Sequence, residues 1–170
     1  MSCKIALERY EFMRQYLASA EFGMRDLPLF PSDTGNVMTN YVGSCLCGAV
    51  TFEIEAEFES FYLCHCKHCQ KDTGSAFAAN LFSQTGKLTW CSGEDNISSF
   101  TLAGSQHQKS FCQDCGTALP NNPPSGMLVV PAGCLDTDVA VIPTAHIFVA
   151  SRASWESNLV TIRKLKGLPE

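Results

Sequence analysis

Cys64-His65-Cys66-Lys67-His68-Cys69 sets three cysteines within six residues, separated by one residue and then by two. Such crowding suits a soft divalent ion, because thiolate sulfurs at roughly 2.3 Å from zinc can approach it from a single tight turn. A disulfide is the rival reading. It needs Cα atoms about 4.4–6.8 Å apart with a specific torsion, which near-vicinal cysteines rarely reach. Three thiols would also leave one unpaired. The spacing therefore assigns metal binding, with three sulfurs on offer rather than four.

Working outward, two more pairs frame this stretch: Ser44-Cys45-Leu46-Cys47-Gly48 before it and Phe111-Cys112-Gln113-Asp114-Cys115-Gly116 after it. In each, a glycine follows the second cysteine and lets the backbone turn sharply with amides free to point at sulfur. Cys45, Cys47, Cys112 and Cys115 together make a complete tetrahedral shell, which has no vacancy for substrate and is structural. An ion of this kind contributes folding energy, about 10–16 kcal/mol in zinc-finger peptides. Cys64, Cys66 and Cys69 then stand apart, and three protein ligands with one open position mark a reactive zinc. That position could instead be closed by Cys134, arriving from a distant segment, or by a neighbouring histidine, His65 or His68. Each of His65, His68, His107 and His146 taken singly reads as a surface or hydrogen-bonded residue.

The rest of the chain reads as mainly β with short strands. Val50, Phe52 and Ile54 alternate with Thr51, Glu53 and Glu55, the period of a half-buried strand. Further candidates are 61–63, 76–82, 88–91, 99–102, 110–112, 127–132 and 146–149, separated by turn formers such as Thr73-Gly74 and Asn121-Asn122-Pro123-Pro124. Ahead of them, Ala6, Tyr10, Met13, Leu17 and Ala20 fall on one helical face, predicting an amphipathic N-terminal helix over residues 1 to about 22. It would pack on its own domain or on a second subunit in a homo-oligomer, since its polar face is of mixed sign. Pro28, Pro31 and Ser32-Asp33-Thr34-Gly35 read as a linker. Three segments result: helix and linker over 1–40, a zinc-binding domain over 41–157 and a tail over 158–170.

Composition narrows the function classes. The 170 residues carry a net charge of -5, which two ions held by seven thiolates would deepen to roughly -8. Nucleic-acid binding, which leans on Lys and Arg meeting phosphate, is disfavoured. No apolar run approaches a membrane span, and the first residues contain no signal-peptide core, so a cytoplasmic setting is expected. Ten cysteines in a reducing compartment point to metal or redox chemistry.

With its cysteine groups in this order, the sequence resembles the glutathione-dependent formaldehyde-activating enzyme family, which also contains centromere protein V. The likeness runs through Gly43–Val50, Cys64–Lys71, Thr73–Phe77, Phe111–Thr117, Ala132–Asp136 and His146–Arg152 with Trp155. It implies a zinc-containing β-tent, a structural four-sulfur site and a reactive three-sulfur site, with two zinc ions per chain. Two departures stand out. Residues 1–40 lie outside the family domain, and Cys134 occupies a place where the family more often has a small or hydroxyl residue.

The resemblance further implies a carbon–sulfur lyase-type reaction that joins glutathione and formaldehyde into S-hydroxymethylglutathione, or reverses it. Zinc would bind the substrate thiol as thiolate, or polarise the aldehyde oxygen as a Lewis acid. Glutathione's carboxylates need cations, for which Lys67, Lys71, Lys109 and Arg152 are available. Trp155 reads as a pocket wall or a core aromatic. The alternative is a non-enzymatic zinc-bearing protein-interaction module, favoured if a side chain closes the second shell.

Overall fold

The computed structural model describes residues 38–122 and 126–169. The N-terminal helix and nearly all of the linker expected from the sequence lie outside them. Among the described residues, ten short strands form three small sheets. In the first, β1 (Thr39–Ser44), β2 (Thr51–Ala56) and β5 (Lys87–Ser92) run antiparallel in the order β1-β2-β5. The alternation of β2 is realised in part: Phe52, Ile54 and Ala56 are fully buried and Glu55 is exposed, but Thr51, expected on the polar face, is also buried, its hydroxyl bonding that of Ser92 at 2.8 Å.

The second sheet holds β3 (Ser60–Cys64), β4 (Ala78–Ser83), β9 (Leu128–Pro131) and β10 (Ala145–Ile147), in the order β10-β3-β4-β9. A seven-residue helix, α1 (Lys67–Thr73), joins β3 to β4 and ends on Gly74. The β-tent that the resemblance implies is one of short antiparallel strands, and β10 departs from it by pairing parallel with β3, His146 opposite Leu63 and Ile147 opposite Cys64. The physical reason is connectivity. β10 returns to β3 after a long crossover, which can approach in either direction, whereas a hairpin cannot.

The third sheet is β6 (Ile97–Thr101), β7 (Gln108–Cys112) and β8 (Ala118–Leu119), all antiparallel. One core lies between the sheets, where Val50, Phe52, Ile54, Leu81, Leu119, Leu128 and Val130 are each 0% exposed. Phe52 and Trp90 meet edge to face at 5.6 Å. Burying side chains of this size contributes about 1.5–3 kcal/mol each, a modest sum for strands so short. Among the described residues no helix is long and apolar enough to cross a membrane.

Candidate functional site

The four outer cysteines converge from two sheets. Cys45 follows β1 and Cys112 ends β7, and each opens a tight turn of the same build. The Cys45 amide donates to the carbonyl of Val50 at 3.0 Å, and the Cys112 amide to that of Thr117 at 3.0 Å. Gly48 (φ 75°) and Gly116 (φ 72°) take the left-handed conformation each turn demands. All four sulfurs lie within 4.8 Å of one another. Cys45 Sγ and Cys47 Sγ are 3.4 Å apart, and Cys47 Sγ and Cys112 Sγ 3.8 Å. A tetrahedron with sulfurs about 2.3 Å from its centre has edges of about 3.8 Å, so the donor set fits one zinc ion.

Polar groups already point at these sulfurs. The Val50 amide donates to Cys45 Sγ (3.3 Å), the Asn96 side-chain amide lies 3.7 Å from Cys112 Sγ, and the Thr117 hydroxyl lies 3.2 Å from Cys115 Sγ. Burial works against ionising Cys115, but hydrogen bonds from the hydroxyl and amide of Thr117 and the amide and thiol of Cys47 together pull the thiol down to about 6. The Ala49 amide favours the Cys47 thiolate, yet the Cys45 thiol and burial push Cys47 up to about 12. One thiolate thus opposes the next, a conflict that a divalent cation relieves.

The inner trio is built from one continuous stretch. Cys64 ends β3, Cys66 caps the N-terminus of α1 in an extended conformation (φ -66°, ψ 157°), and Cys69 lies one turn into the helix. The sequence reading expected a strand or turn here. The helix makes Cys66 and Cys69 neighbours, with the Cys69 amide donating to Cys66 Sγ at 3.4 Å. The three sulfurs lie within 4.8 Å of one another, and among the described residues no fourth His, Cys, Asp or Glu joins them. Burial raises the Cys64 and Cys69 thiols. Cys66 is also penalised by burial, but the backbone amide and thiol of Cys69 outweigh it and lower Cys66.

None of the three internal candidates for the fourth position joins the trio. Cys134 is buried in the main core, and its thiol donates to the Pro131 carbonyl at 3.0 Å. His65 is 1% exposed, and both its ring nitrogens are engaged by Glu156 and His146. His68 is exposed and packs near His107, ring centroids 5.6 Å apart.

Cys64 and Cys69 instead line a cavity of about 200 Å³ together with Asp72, His107, Lys109 and Ile147. Asp72, His107 and Lys109 also line an adjoining groove of about 340 Å³, which adds His68, Lys71 and Phe100. Lys109 Nζ bonds Asp72 Oδ1 at 2.6 Å, and His107 Nε2 lies 3.6 Å from Asp72 Oδ2. Of the candidate cations, Lys71 and Lys109 reach this region. Lys67 bonds Gln70, and Arg152 is exposed and lines neither cavity. Trp155, 63% exposed, is not a core aromatic. The sequence reading missed Asp72, whose only signal was its place one residue after Lys71, and Glu156, which carried none.

The family model for glutathione-dependent formaldehyde-activating enzyme matches residues 40–151. This chain belongs to that family. Family relatives include a putative glutathione-dependent formaldehyde-activating enzyme of Halomonas elongata, 31% identical over 124 residues, covering 66% of this chain and 77% of the relative. An uncharacterized lyase of Schizosaccharomyces pombe is 34% identical over 82 residues, 48% of this chain, and the chain spans 57% of that relative's length. Among solved structures, a Rhodobacter sphaeroides protein matches with 24% identity and a TM-score of 0.44, covering 60% of this chain and 97% of the other.

Proposed function

We propose that this chain is a carbon–sulfur lyase of the glutathione-dependent formaldehyde-activating type, with residues 41–157 as its catalytic unit. Zinc would be held by Cys45, Cys47, Cys112 and Cys115 as a structural ion and by Cys64, Cys66 and Cys69 as the reactive one. The observation that carries this reading is the setting of the trio: two of its members, Cys64 and Cys69, line a cavity that Lys109, His107, Asn80 and Gln108 also line. When bound there, zinc supplies Lewis acidity, which keeps a thiol ionised at neutral pH or polarises an aldehyde oxygen.

The chain's own residues do the rest. Glutathione is a thiol carrying two carboxylates, and Lys109, which lines both the cavity and the groove, and Lys71, which lines the groove, are the cations available to receive them. Asp72 holds Lys109 in place from two directions, through its side chain and through its backbone carbonyl at 3.1 Å. His107 lines both cavities and offers a ring nitrogen that can pass a proton. In the forward direction a carbon–sulfur bond forms between the thiol sulfur and formaldehyde, and the thiol proton ends on the former aldehyde oxygen.

Exchange spectroscopy on mixtures of glutathione and 13C-formaldehyde tests this reading. The zinc-loaded chain should accelerate interconversion of free glutathione and its hydroxymethyl adduct. If a chain holding both ions leaves that exchange at its spontaneous rate, with glutathione and with other biological thiols, the lyase reading fails.

A further inference from the structure

Between the two ligands Cys64 and Cys66 sits a side chain that the reaction above does not use. His65 is 1% exposed, and a buried imidazole needs a partner for each ring nitrogen. Its Nδ1 lies 2.9 Å from Glu156 Oε2, and its Nε2 lies 2.8 Å from His146 Nδ1. A carboxylate only accepts, so His65 Nδ1–H donates to Glu156, while His65 Nε2 and His146 Nδ1 share one proton between them. The Phe77 ring packs 5.2 Å from the imidazole.

The backbone around His65 is tied to the same distant segment. The His65 amide donates to the Ile147 carbonyl at 2.9 Å. The Gln70 side chain donates to the His65 carbonyl at 2.6 Å and to the Ser151 carbonyl at 2.9 Å. Residues 145–156 therefore cross the ligand turn as a strap while contributing no sulfur to it. His65 is peptide-bonded directly to both ligands, so anchoring its ring, its amide and its carbonyl against the strap fixes the backbone between Cys64 and Cys66, and Cys64 lines the cavity. Glu156, with its side chain 12% exposed, fixes the ring from the strap's far end and lines neither cavity.

We propose that Glu156 is a positioning residue for the three-sulfur centre: by holding the His65 ring it sets where Cys64 and Cys66 present their sulfurs. The inference rests on the reading that the trio binds an ion, and the wild-type protein tests that reading first. The full chain is loaded with zinc, and transfer of each ion to a chromogenic chelator is followed without substrate; a cobalt-loaded sample gives the sulfur-to-metal bands. Glu156→Ala should speed loss of the trio's ion roughly 10–100-fold and shift its cobalt bands, the usual cost of removing a group that orients a ligand. The four-sulfur ion should leave at its wild-type rate. Glu156→Gln, whose amide oxygen accepts the same bond, should restore retention to within about threefold.

Wild-type release rates and bands in Glu156→Ala overturn the positioning role. So does equal loss from both centres, which signals general destabilisation, and so does a Gln variant as leaky as the Ala variant. A wild-type chain with no ion at the trio overturns this inference and the reactive-site reading together, and that outcome is visible before any variant is made.

Discussion

The two sulfur clusters differ in what they join. The outer four bring together the end of β1 and the end of β7, strands of different sheets more than sixty positions apart in the chain, as the Cys47–Cys112 contact spans 65 residues. The inner three come from one six-residue stretch at the end of a single strand. An ion in the first closes a long loop and welds sheet to sheet. An ion in the second adds little to the fold, because β3, α1 and the strap already hold the stretch in place. Donor number follows the same division: four sulfurs satisfy a tetrahedral ion, and three leave it a position to share. On the proposed function, connectivity rather than the chemistry of the individual thiols separates scaffold from reaction centre.

The comparison breaks first at Cys112, 0% exposed and placed at the seam of the two sheets. Cys112→Ser removes a ligand from the proposed structural ion, and such binding carries about 10–16 kcal/mol in small zinc domains, comparable to the roughly 5–15 kcal/mol that typical domains possess in total. The expected result is loss of the cooperative thermal transition by circular dichroism and loss of both metals by elemental analysis. A folded chain still holding one ion would erase the distinction. Cys66→Ser should do the opposite. It should lose one ion of two and all catalysed exchange, while the thermal transition stays within the few degrees that about 1 kcal/mol represents in a domain of this size. Unfolding of Cys66→Ser would make both centres structural.

The grouping of the sulfurs into four and three was readable before any coordinates because it is written locally. Cysteines one or two residues apart with a glycine behind them can meet one ion almost irrespective of the surrounding fold, and φ 75° at Gly48 and 72° at Gly116 are what those turns require. The strands with clean alternation, β2 above all, were legible for the same reason. β1 was not: Val42, Gly43 and Ser44 are buried in succession, so the period of two disappears. At seven residues α1 is too short to express helical periodicity. The strap was invisible because its bonds to His65 span 81 and 91 residues. Glu156, a charged residue near the C-terminus, looks in sequence like any solvated carboxylate. The fourth position of the trio shows the same limit. Cys134 is a plausible ligand by residue type, and its burial in the main core, bonded to Pro131, decides against it.

The smallest expected effect sharpens the comparison on the substrate side. Nothing about the four-sulfur centre calls for a cation, whereas the cavity beside the trio places Lys109 Nζ 2.6 Å from Asp72 and 5.9 Å from the centre of the Phe111 ring. A charge-assisted hydrogen bond to a substrate carboxylate contributes about 1.5–3 kcal/mol when well shielded. Lys109 is 23% exposed and already shared with Asp72, so solvent and competition reduce that to about 1–1.5 kcal/mol, or roughly tenfold. Lys109→Met keeps the packing of the stem on Phe111 and removes the charge. The KM for glutathione should rise about tenfold with kcat little changed, the mark of an interaction made equally in ground and transition states. With 2-mercaptoethanol, which has no carboxylate, both parameters should stay at wild-type values. Equal losses for the two thiols would mean that Lys109 shapes the cavity rather than recognising the substrate, and the cations around Asp72 would then belong to the fold, as the outer sulfurs do.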